Sequence, residues 1–159
     1  MYPTRNDLAV PVRQANIDLL QLRLADAVDL FTQVKQAHWN VRGPQFMTLH
    51  QLFDQVAEIV EAQGDDIAER ITALGGRADG TARVAARSSL AEYPLDIVDG
   101  SAHVAAVADR LAAFGKSVRA GIEAAAGAGD ADTSDLFTGI SREIDKQLWF
   151  LESHLQPHR

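Results

Sequence analysis

The chain has 159 residues, 47% of them apolar and 23% charged, with a formal net charge of −7. That is the size and balance of one globular domain with a single core, and it excludes a disordered or fibrous chain. The lack of cysteine excludes disulfides, thiolate zinc sites, iron–sulfur clusters and a cysteine nucleophile, and the acidic balance argues against general nucleic-acid affinity.

Prolines stand only at positions 3, 11, 44, 94 and 157, and β-branched residues are sparse, so the chain reads as helices joined by breaks. After a short tail over 1–12, Ile17, Leu20, Leu24, Ala27, Val28, Phe31, Val34 and His38 recur in steps of three and four. They predict a first helix over about 12–39, stopped near Gly43-Pro44. Leu49, Leu52, Phe53, Val56, Val60, Gln63, Ile67, Ile71 and Leu74 predict a second, ending at Gly75-Gly76. Residues 77–95 are mixed and have room for one short helix in a long connection. A third helix runs from about Asp96 into AGIEAAAGAGD, where glycines loosen it. A fourth runs from about Thr133 to Leu155 on the stripe Phe137, Ile140, Ile144, Leu148, Leu151 and Leu155, before a tail over 156–159. Asp132, Thr133 or Ser134 can cap its start. Four helices with one long crossover predict an all-α, single-domain four-helix bundle of the ferritin-like kind. No apolar run is long enough to span a membrane and no signal core is visible, which leaves the cytoplasm.

The second helix carries more than a core stripe. With His50 as origin, Asp54, Glu61, Asp65 and Glu69 fall within about 100° on an ideal wheel, away from the core. Ala57, Gly64 and Ala68 lie beside them and predict a place where another backbone approaches. A solvated acidic face explains such a stripe as well as a site does. Two features point to metal. His50/Asp54 and Asp65/Glu69 are each one turn apart, and His38 arrives one turn before the break between the helices. Within the core stripe, His38 also fits as a buried structural residue.

The two pairs lie about 22 Å apart along one helix, too far to share an ion. Antiparallel pairing of two copies about residue 59 or 60 sets 50 opposite 69 and 54 opposite 65. Each of two sites then takes His38, His50 and Asp54 from one chain and Asp65 and Glu69 from the other. Oxygen and imidazole donors without sulfur suit iron, manganese or zinc. No Glu-x-x-His occurs, which excludes a di-iron centre within one bundle.

KQAHWNVRGPQF (35–46), LHQLFD (49–54), GDDIAERITALGG (64–76) and TSDLFTGISREIDKQLWFLESHL (133–155) closely resemble the Dps family, the miniferritins. The likeness spans about residues 14–155. It implies a hollow homo-dodecamer of twofold dimers that oxidises Fe²⁺ with hydrogen peroxide and stores ferric mineral, with iron (Fe²⁺/Fe³⁺) as its metal. It implies His38, His50, Asp54, Asp65 and Glu69 as ligands and Trp39 beside them as an electron donor, where an aromatic core anchor is the plainer role. It implies a threefold pore lined by Asp135 and, less so, by Asp130 and Asp132. Capping and solvation account for these three aspartates as well. Lys35 pairs with a site carboxylate in this reading, while His103, His154 and His158 have no partner pattern.

Family members that bind DNA use lysine-rich tails. Residues 1–13 here hold Arg5 and Arg13 but no lysine, and the chain ends QPHR. DNA binding is therefore doubtful, and nucleoid association is kept as the alternative: a DNA-binding structural protein with little ferroxidase role.

Overall fold

The computed structural model describes residues 1–156. Its helices are α1 (Val10–Asn40), α2 (Phe46–Ala73), the short 3₁₀ turn η1 (Ala82–Arg87), α3 (Gly100–Gly127) and α4 (Ala131–Ser153). There is no strand among the described residues. The chain packs as two hairpins, α1 along α2 and α3 along α4, joined by a crossover that contains η1. This is the expected bundle, and the short helix falls in the expected connection. His158 lies outside the described residues.

The core is a column of side chains from all four helices, including Leu20, Leu30, Phe53, Ile67, Leu111, Phe114, Phe137 and Ile144, each almost wholly buried. At about 25 cal/mol per Å² of apolar surface, each contributes roughly 1.5–3 kcal/mol of transfer free energy. Gly121 belongs to this packing. A Cβ there would stand 3.1 Å from the Phe137 ring, so the glycine that was expected to loosen α3 instead lets α4 come close.

The small residues of α2 also serve within the chain. Ala57 is buried, and a Cβ on Gly64 would meet Ala27 Cβ at 3.7 Å. The backbone that approaches this seam within the chain is α1, as the small residues led one to expect.

Helix ends differ from expectation in four places. α1 begins earlier, with Pro11 in its first turn, where the missing N–H costs nothing. α3 begins at Gly100, later than Asp96, because the Asp99 carboxylate caps it by accepting from the Ser101 and Ala102 N–H groups. α4 is capped by Asp130 rather than by Asp132, Thr133 or Ser134. It ends at Ser153, so Leu155 leaves the stripe and is exposed.

Candidate metal centre

The turn between α1 and α2 brings His38 and His50 face to face. His38 is buried in the last turn of α1, and His50 stands half-buried in the first turns of α2. Their rings stack with centroids 3.7 Å apart, and Phe46 covers His50 from 5.1 Å. Each ring binds the other residue's main chain. His38 Nδ1 lies 2.8 Å from the His50 carbonyl, and His50 Nδ1 lies 2.9 Å from the His38 carbonyl. A carbonyl only accepts, so both Nδ1 atoms carry hydrogen and both Nε2 atoms keep a free lone pair. Metal-binding histidines are oriented in this way, by a main-chain acceptor on the other nitrogen.

Asp54 stands beside His38. Its Oδ1 accepts a hydrogen bond from Lys35 Nζ at 2.6 Å and lies 3.7 Å from His38 Nδ1. The Lys35 hydrogen bond holds the Asp54 carboxyl below the usual range, outweighing the opposing effect of burial. Trp39 is 61% exposed, with Lys35 Nζ 5.9 Å from its ring centre, so within the chain it is no core anchor.

The other two expected donors are elsewhere. Asp65 and Glu69 are exposed further along α2, and their carboxylates have no ion pair or hydrogen bond among the described residues. No group of three or more His, Asp or Glu side chains of one chain is set to hold a metal among the described residues. The fold thus gathers three of the five residues and leaves two on an outward face. The reciprocal His–carbonyl bonds had no counterpart in the residue pattern, because main-chain acceptors leave no trace in side-chain spacing.

The ferritin-like domain family matches residues 17–158. A DNA protection during starvation protein of Agrobacterium fabrum is 40% identical over 156 residues, covering 98% of this chain and 96% of that one. The chain belongs to the Dps branch of the ferritin-like family. Among solved structures, DpsC from Streptomyces coelicolor superposes with a TM-score of 0.92 at 27% identity, covering 100% of this chain and 92% of that one. Dps from Microbacterium arborescens in its high iron form gives 0.85 at 31% identity, covering 92% and 96%.

Within this Dps fold the two aspartates read as pore residues part company. Asp130 is buried. It accepts from Arg70 at 2.7 Å, from the Thr133 hydroxyl at 2.6 Å and from the Thr133 N–H at 3.1 Å. Burial alone pushes its pKa up, but the Thr133 and Arg70 contacts outweigh that and hold it below the usual range. These contacts make Asp130 the cap of α4. Asp135 is exposed on α4, beside a groove that also includes Asp66, and keeps its carboxylate free. Asp132 is exposed, 3.8 Å from Arg70. His103, which had no partner in the sequence, is buried against Tyr93. No helix among the described residues is long and apolar enough to cross a membrane.

Proposed function

We propose that this chain oxidises Fe²⁺ with hydrogen peroxide and stores the ferric product inside a homo-oligomeric shell, a dodecamer of twofold dimers in the cytoplasm. The observation that carries the reading is the stacked His38/His50 pair, with both Nδ1 atoms bound to carbonyls, both Nε2 atoms left free, and the Asp54 carboxylate close to His38. Asp65 and Glu69 of a twofold mate complete each site. Carboxylates, as hard anionic donors, favour Fe³⁺ over Fe²⁺. Binding of Fe²⁺ exchanges the Lys35 ammonium on Asp54 for the metal. Hydrogen peroxide then takes one electron from each of two Fe²⁺ ions and, with two protons, leaves as two waters. Trp39, beside the site, supplies an electron when the two-electron route fails.

Protection of DNA, the property in the name of the Agrobacterium relative, follows here from removing Fe²⁺ and peroxide together. A net charge of −7 per chain repels phosphate, so a gel-shift titration at physiological salt should show weak or no binding. Tight binding there would favour the nucleoid reading.

Two experiments test the assignment. Fe²⁺ and peroxide added to the assembled protein should give soluble ferric cores, and iron that precipitates outside the particle refutes storage. His50→Ala and Asp65→Ala chains, each inactive alone, should recover activity after dissociation and mixing, because every mixed dimer has one intact site. Folded mixed dimers with no activity refute the shared site.

A further inference from the structure

Tyr93 and His103 form a pair that the iron site does not use. Tyr93 lies in the crossover after η1, and His103 in the first turn of α3. The phenol oxygen is 2.6 Å from His103 Nδ1, and the two rings are nearly parallel, with an interplanar angle of 18°. His103 is 1% exposed, and its Nε2 is buried with no hydrogen-bond partner among the described residues.

The direction of the bond follows from this. If the phenol donates, one buried nitrogen is left unpartnered. If Nδ1 donates, the Nε2 lone pair is orphaned and the phenol proton also has no protein acceptor. The phenol therefore donates, and Nδ1 is a base held at short range from the only proton the phenol can lose.

Phenols are hard to oxidise by one electron unless the proton leaves with it. We propose that Tyr93 and His103 form a one-electron donor site, in which a strong oxidant of the hydroxyl-radical or indolyl-radical class takes an electron from Tyr93 while its proton passes to His103 Nδ1. The O–H bond breaks and an N–H bond forms. The products are a neutral phenoxyl radical, an imidazolium and the reduced oxidant: hydroxide from hydroxyl radical, or, with a proton from water, indole from an indolyl radical.

The surroundings set the threshold. Arg110 lies over the Tyr93 ring at 5.9 Å and opposes a new positive charge, while the Asp99 carboxylate one turn before His103 favours it. In the resting pair burial pushes the Tyr93 phenol up to about 12, against a smaller lowering by Arg110, and burial pushes His103 down. Neither group ionises alone near neutral pH, so the proton moves only when an electron is pulled away. The position is apt. The backbones of Arg42 and Asp99 pair in an isolated β-bridge, and Gly100 packs on Leu49, so the start of α3 sits at the end of the bundle that holds Trp39 and His50.

The sequence makes the test clean, because Tyr2 and Tyr93 are its only tyrosines and Trp39 and Trp149 its only tryptophans. Azide radicals generated by pulse radiolysis in iron-free protein oxidise tryptophan first, so the result does not depend on the iron reading. In a Tyr2→Phe background, decay of the indolyl signal should feed a phenoxyl signal, slower in D₂O. Tyr93→Phe should abolish that signal. His103→Asn places an acceptor oxygen near the Nδ1 position but no usable base, and should cut the phenoxyl yield at least tenfold. An unchanged yield in folded His103→Asn overturns the proposal. Should that variant fail to fold, absence of a phenoxyl signal or of a solvent isotope effect in the Tyr2→Phe protein overturns it equally.

Discussion

Asp130 and Asp54 stand at opposite ends of the bundle and are treated in opposite ways. At the α3–α4 corner, Asp130 is buried, and Arg70 and Thr133 take up its oxygens. At the α1–α2 corner, Asp54 is 44% exposed and has one exchangeable partner, Lys35, beside two imidazoles with free nitrogens. A carboxylate saturated by fixed donors holds helices together. One left half-satisfied next to other donors is available for chemistry. Residue type does not separate the two, but the count of unused lone pairs does.

The largest expected effect lies at the open end. His50→Ala should lower iron oxidation by ~100-fold or more, since even residues outside the coordination shell are worth ~10–100-fold in metal sites. Urea unfolding should move little, because His50 is only half-buried. A comparable loss of stability would erase the contrast between the ends.

Asp130→Ala should do the reverse. It removes a helix cap and leaves Arg70 facing a carboxylate site that no longer exists, at about 3–5 kcal/mol of stability. The same contact predicts a pH dependence. The Asp130 carboxyl is held below its unfolded value, so its stabilisation is present above about pH 4 and fades as the pH falls through the lower folded value. Urea midpoints of the parent should fall below pH 4, and those of Asp130→Asn should fall less.

Lys35→Met sharpens the comparison at the open end. Freed of its ammonium, Asp54 should titrate closer to an ordinary carboxylate, and Fe²⁺ should bind severalfold tighter because no cation must be displaced. Weaker binding would mean that Lys35 orients Asp54 for the metal.

The smallest effect belongs to Asp135→Asn, at an exposed carboxylate with no fixed partner. Uptake should slow a few-fold at low Fe²⁺ and low salt, remain unchanged at saturating Fe²⁺, and the difference should shrink as salt screens the field. An unchanged rate at low salt leaves Asp135 without a part in iron entry.

The helices were legible because burial follows a 3.6-residue period, and the core stripes of α1 and α2 fall where that period puts them. Their ends were less so. The sequence DADTS offers five residues before Asp135, several able to cap, and only the half-buried Arg70 side chain selects Asp130. His38, His50 and Asp54 were legible because two lie one turn apart and the third precedes a short break. Their carbonyl bonds, and the Tyr93–His103 contact between an irregular segment and a helix start, have no period to betray them.

The crossed carbonyl bonds of His38 and His50 have a thermodynamic consequence. Neither ring can turn without freeing the other residue's carbonyl, so the two imidazoles are fixed before any ion arrives. An ion entering such a cleft orders little of the protein and mainly sheds its own water. Calorimetry should therefore record binding with a favourable entropy, in contrast to a site assembled from wandering side chains.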